Sequence, residues 1–119
     1  MKRVYIAGKL SDGAVNYIQN VSNMISWGEK VRRLGFAVFI PALDFLIGLK
    51  IGDWKYDDYF NNSQPWLEVS EAVFVCPESE DSKGTQEEIR RAKKLDIPVF
   101  YTLEELNKVM RGAIDESIY

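Results

Sequence analysis

The chain contains no histidine, and that absence removes whole classes of chemistry. Ser-His-Asp and Cys-His systems need an imidazole base, and His-based metal sites need imidazole ligands. Any catalysis must rest on carboxylates, Tyr, Lys, Ser or Cys. Cysteine is almost missing too. The single Cys76 cannot close an internal disulfide, and it suits a reducing, cytoplasmic setting. Long hydrophobic runs are also lacking: "MKRVYIAGKL" holds too short an apolar stretch for a signal peptide, and nothing approaches the ~20 apolar residues of a spanning helix. Nor is there a basic stripe. Lys and Arg number 15 against 18 Asp and Glu, a net charge of −3, so a nucleic-acid duplex is a poor partner.

What is present is an ordinary globular composition over 119 residues, 46% hydrophobic and 28% charged. Residues 1–119 are therefore expected to form a single domain that buries its own core without disulfides or metal. "RVYIAG" reads as a buried strand ended by Gly8. After the turn signal Ser11-Asp12-Gly13, apolar residues recur at Ala14, Ile18, Val21, Ile25, Val31 and Leu34. That spacing is helical, with Gly35 placed to end the helix in a left-handed cap. "FAVFIP" is a second strand stopped by Pro41, which completes a right-handed βαβ unit.

"ALDFLIGLK" reads as a short helix, "GDWKYDDYFNN" as irregular, and "SQPWLEVSE" as a short helix with Pro65 in its first turn. "AVFVC" is a third strand, residues 85–95 a helix, "IPVFY" a fourth strand and "LEELNKVMR" a closing helix. The alternation predicts an α/β fold, a Rossmann-like or flavodoxin-like three-layer sandwich around a mainly parallel sheet of four to five strands in the order 2-1-3-4. With that order the winding reverses between strands 1 and 3, where ligands bind beside the carboxyl ends of strands. The loops after those strands, Gly8-Lys9-Leu10-Ser11 and Pro77 to Gly84, meet there.

The second loop leads into "TQEEIRRAKKL". At ~100° per residue, Glu88 falls with Ala92, Leu95 and Ile89 on the face that packs on the sheet. Glu87 falls with Arg90, Arg91 and Lys94 on the solvated face, with Arg91 as its i,i+4 partner. Two readings of Glu88 stand. Thr85-Gln86-Glu87-Glu88 fits a capping box with Thr85 as N-cap, and an acid at the mouth of the crevice fits chemistry. Ser82 and Gly84 likewise either make a turn or present a hydroxyl and amides to a ligand at a helix N-terminus.

"VYIAG", "GFAVFIP", "SEAVFV", "SKGTQEEIRRA" and "IPVF", in that order over residues 3–101, resemble the nucleoside 2-deoxyribosyltransferase-like superfamily, nearest its small DUF4406-type group from bacteria and phages. The resemblance implies that the last residue of the S-x-G-x-x-x-E element, Glu88, is the nucleophile. Ser82 and Gly84 would then hold the 5′ end of the sugar or its phosphate. It implies attack on the anomeric carbon of a 2-deoxynucleoside or its monophosphate, a covalent glycosyl ester and overall retention, with no cofactor and no metal. By the same resemblance Gly8 is where ligand meets backbone, beside Lys9. Tyr5 lies beside the sugar, or alternatively packs in the core, and Asp44 of "P-x-x-D" faces the base, or is simply solvated.

Ser63 stands where relatives carry an Asp. Asn62 and Ser63 can hydrogen-bond but cannot act as a carboxylic acid. A nucleotide-binding module without efficient catalysis is the alternative that this difference opens. The expected partners are a small nucleoside or nucleotide and a second copy of the chain in a homodimer or higher oligomer, with no polymeric nucleic acid and no membrane. Trp54, Tyr56, Tyr59 and Phe60 read either as a lid or interface or as rings completing the core. Asp53, Asp57 and Asp58 lack recognisable metal-ligand spacing.

Overall fold

The alternation in "RVYIA" decides how the sheet is covered. Strand β1 (Arg3–Ala7) sends Val4 and Ile6 to one face and Tyr5 and Ala7 to the other, and all four are fully buried. A strand apolar on both faces requires cover on both sides, the usual condition of a parallel sheet. The computed structural model, which describes residues 1–10 and 13–111, has this arrangement. The turn signal at Ser11 and Asp12 lies outside the described residues.

The elements after β1 are α1 (Gly13–Arg33), β2 (Ala37–Phe39), a 3-10 turn (Pro41–Leu43), α2 (Asp44–Ile51), α3 (Tyr56–Glu68), β3 (Ala72–Val75), α4 (Lys83–Lys94), β4 (Val99–Phe100), α5 (Leu103–Leu106) and a π-turn (Asn107–Arg111). The described strands make one four-stranded sheet in the order β2-β1-β3-β4, parallel at every pairing. Tyr5 is in register with Phe39 of β2 and with Val73 of β3. The expected α/β fold and strand order hold, with four strands.

One face packs Val4, Ile6, Ala72 and Phe74 against Met24 and Val31 of α1 and Leu106 of α5. The other packs Tyr5, Ala7, Val73 and Val75 against Leu67 of α3 and Ala92 of α4. The end of α1 is as the sequence predicts: Gly35 adopts φ 103° and its amide reaches the Arg32 carbonyl at 2.9 Å. No described helix is long and apolar enough to cross a membrane.

Three stretches depart from the sequence reading. The helix expected to begin at Ser63 begins at Tyr56, because the Asp58 carboxylate accepts the Lys55 amide at 2.8 Å and caps the start. Pro65 therefore lies inside α3 rather than in its first turn. Its missing N–H removes one helical bond, but the fully buried Leu67 keeps the following turn on the sheet. Strand β4 is only Val99–Phe100, and the closing helix divides into α5 and the π-turn.

Gly48 of α2 is a packing requirement. A Cβ there would overlap the hydroxyl of Tyr59, whose ring stands edge-on to Trp54 with centroids 5.0 Å apart. Replacing Gly48 with Ala should therefore displace Tyr59 and destabilise the fold by about 1–3 kcal/mol, the usual cost of overpacking. Thermal unfolding would register this as a lower Tm, and an unchanged Tm would show that Tyr59 moves aside freely.

Candidate functional site

Four segments converge at the carboxyl ends of β1 and β3. The backbones of the two strand-end loops are clipped together: the Cys76 amide donates to the Ala7 carbonyl at 2.8 Å, and the Lys9 amide donates to the Ser79 hydroxyl at 3.1 Å. Ser79 is buried. Beside it Glu78 holds a left-handed φ of 65°, a conformation that a non-glycine residue keeps only when its surroundings impose it. Over these loops lies a cleft of about 800 Å³, walled by α1, α2, α3 and the start of α4.

Ser82 is the N-cap of α4, its hydroxyl accepting the Thr85 amide at 3.3 Å. The capping box led by Thr85 is thus not formed. The helix starts one turn earlier, and Glu88 sits in its second turn, beyond reach of the cap. Thr85 is instead 1% exposed, with its hydroxyl buried and unpartnered. The expected Glu87–Arg91 pair is also replaced, since Arg91 donates to Glu68 of α3 across the helix interface. That contact joins elements 23 residues apart and is invisible to helical spacing.

Freed from capping, Glu88 lines the cleft, while Glu87 is exposed at its rim. The inward phase of Glu88 is as expected, although Leu95, expected on the same face, is 42% exposed. Burial raises the Glu88 pKa to about 8, with the neighbouring Glu87 charge adding to the rise and the Tyr5 hydroxyl opposing it. Tyr5 is fully buried, and its hydroxyl lies close to Glu88 and Ser63 without completing a well-formed hydrogen bond. Burial first, then the Glu88 charge, raise the Tyr5 pKa well above its ordinary value. The floor of the cleft is therefore a carboxyl facing a phenol.

Cys76 is not poised as a nucleophile. Burial and Glu88 push its thiol up to about 12, so it carries no thiolate at neutral pH.

The other expected residues separate into two groups. Gly8, Tyr5, Asp44, Ser63, Ser82 and Gly84 all line the cleft with Glu88. Asp44 is buried rather than solvated, and the Asn62 amide donates to its carboxylate at 3.1 Å. Asn62 and Lys9 are not in the lining; the Asn62 amide bonds the Asp44 carboxylate from behind, and the Lys9 amide takes part in the loop clip. Ser63 is buried, with its hydroxyl donating to the Phe60 carbonyl at 3.3 Å.

Tyr56, Tyr59 and Phe60 line the cleft rather than completing the core, and Trp54 stands behind Tyr59. Asp53, Asp57 and Asp58 hold no metal-type cluster, for among the described residues no group of three or more His, Cys, Asp or Glu is placed to bind an ion. Sequence reasoning missed Gln64, which is buried and lines the cleft. The Tyr56, Phe60, Gln64 spacing of four would have shown it, had the start of α3 been read correctly.

The raised pKa has a consequence for stability. Glu88 binds its proton more tightly folded than unfolded, so the fold loses stability as pH rises from 4.5 through about 8. Glu88→Gln removes that penalty. It should stabilise the protein at pH 9 by on the order of 3 kcal/mol, a shift scaled at 1.36 kcal/mol per unit and discounted for solvent in the cleft, with little gain near pH 4.5. Urea unfolding at the two pH values measures the difference, and an equal effect at both would contradict the buried-acid description.

Similar proteins bear on this arrangement. The solved structure of a 2-deoxyribosyltransferase from the psychrotolerant bacterium Bacillus psychrosaccharolyticus matches with a TM-score of 0.60 and 24% identity, covering 82% of this chain and 69% of that one. The likeness establishes a shared fold. No curated protein matches the chain. The profile of DUF4406, a domain of unknown function, matches residues 2–101, and with five-sixths of its length so covered the chain belongs to the DUF4406 family.

Proposed function

We propose that the protein cleaves or transfers the N-glycosidic bond of a 2-deoxynucleoside or its 5′-monophosphate, with Glu88 as nucleophile. The observation that carries this reading is the Glu88 carboxyl at the floor of the cleft, held in the second turn of α4 and facing the buried Tyr5 hydroxyl. Its relation to a 2-deoxyribosyltransferase fold supports the same chemistry.

In the first step a Glu88 oxygen bonds to the anomeric carbon while the carbon–nitrogen bond breaks. The electron pair leaves with the base, which takes a proton from water in the cleft. Tyr5 orients the carboxylate and stabilises its charge. Gly8 lets the ligand lie against the backbone, Ser82 and Gly84 meet the 5′ end of the sugar, and Asp44, steadied by Asn62, faces the base. In the second step water, or the N–H nitrogen of a second base, attacks the same carbon, gives up its proton to the hydroxide left in the first step, and releases Glu88 as a carboxylate. Two displacements at one carbon give overall retention.

Ser63 favours a second reading. A hydroxyl bonded to the Phe60 carbonyl cannot supply the proton that a carboxylic acid would at that position, and a binding module without efficient turnover follows from that. Following free base from a panel of deoxynucleosides and their monophosphates separates the two. Release that depends on Glu88 supports the enzyme, whereas binding without release from any substrate supports the module.

A further inference from the structure

Gln64 presents an unusual combination. It is 9% exposed and lines the cleft, yet its side-chain amide makes no hydrogen bond among the described residues. The buried unpartnered side-chain atoms among the described residues belong to Tyr5, Thr85 and Asn107, so the Gln64 amide opens onto the cleft, where its donors and acceptor are free to meet a ligand. Its surroundings suggest which ligand. Tyr56, Phe60 and Gln64 are spaced four apart on α3 and all line the cleft, with the Tyr56 and Phe60 rings stacked 6.1 Å apart at 25°. Next to Gln64 in sequence, Ser63 faces the Tyr5–Glu88 floor. A ligand with its reactive carbon at Glu88 would therefore set its base beside this amide and along the stripe of two rings.

We infer that Gln64 reads the edge of the base and selects one carrying an amino group beside a ring nitrogen, as in adenine or cytosine. This rests on the nucleoside reading above and adds a specificity-determining residue to it. The rings offer a stacking face to any base. The amide oxygen accepts from an exocyclic amino group while its NH2 donates to the adjacent ring nitrogen, the pairing glutamine makes with adenine. An amide can also flip to meet a keto base, but the rest of the lining decides against this. Asp44, Asp81 and Glu87 surround the cleft with acceptors, which favour an amino group and oppose a keto oxygen.

The test is equilibrium binding of deoxyadenosine and deoxyinosine, which differ in the amino group, to wild type, Gln64→Leu and Gln64→Met. Wild type should bind deoxyadenosine about 10-fold more tightly, within the range of one bidentate pair. In both variants that preference should fall at least about five-fold, through weaker deoxyadenosine binding. Two substitutions of different shape, each verified by its urea transition, separate lost recognition from lost folding. A preference that survives in both folded variants, or a wild type that prefers deoxyinosine, overturns the role of Gln64 and leaves the nucleoside reading intact. A wild type that binds neither nucleoside overturns the nucleoside reading, and the role of Gln64 with it.

Discussion

Base release from deoxynucleosides should fall by roughly 10³-fold or more when Glu88 becomes Gln or Ala, the scale of loss when a covalent nucleophile is removed. The same substitutions should leave the protein folded, and Glu88→Gln should strengthen the fold at alkaline pH for the reason given above. Loss of activity with gain of stability is the signature of a group held at a cost for its chemistry; a structural acid would lose both together.

The pH profile gives an independent view of the same residue. Attack requires the carboxylate, and with a pKa of about 8 only about a tenth of the free enzyme carries it at pH 7, against about nine-tenths at pH 9. The kcat/KM should thus rise about 10-fold over that interval and fall away as pH drops below 8. Burial is the main cause of this direction; the Tyr5 phenol, itself un-ionised there, pulls the pKa partly back and the exposed Glu87 carboxylate pushes it up. A profile already flat at pH 6 would place the ionisation elsewhere.

The second large effect is expected at the other end of the ligand. Beside the α4 N-terminus Asp81 and Glu87 line the cleft with Glu88, and Lys83 is the one cation in that lining among the described residues. The α4 N-terminus, with Ser82 as cap and the unpartnered Thr85 hydroxyl below, attracts an anion. Its half-charge, however, works against several full ones. A 2-deoxynucleoside should therefore bind about 10-fold or more tightly than its 5′-monophosphate in low salt. Because exposed charges are screened over ~8–10 Å at ordinary ionic strength, the gap should shrink as salt is added. Asp81→Asn and Glu87→Gln should also shrink it by strengthening nucleotide binding, with nucleoside binding much less changed. Competition binding measures all three. A monophosphate that binds more tightly than the nucleoside in low salt would mean that the helix terminus dominates the cleft.

How much of this was legible in the sequence depended on whether the governing interaction was local. Strand β1, the Gly35 cap and the inward phase of Glu88 follow from period and residue type alone, and the structure agrees. The cap of α4 did not, because Ser82 and Thr85 lie three residues apart and either satisfies the local pattern. The choice of Ser82 is a tertiary one, made where its loop is clipped to β1 through Ser79. The Arg91–Glu68 pair, the burial of Asp44 beside Asn62 and the Tyr5–Glu88 contact all join distant elements, which no periodicity encodes. Pro65 misled for a related reason: it is a good first-turn residue, but the Asp58 cap had already started the helix. That early start is also what sets Gln64 on the cleft wall.

The most direct test is an intact-mass and peptide-map measurement on protein quenched in acid during turnover of a deoxynucleoside. Nucleophilic catalysis by Glu88 predicts a deoxyribosyl adduct on the peptide containing Glu88, absent from Glu88→Gln. An adduct on any other residue, or undiminished turnover by the Glu88→Ala protein, would contradict it.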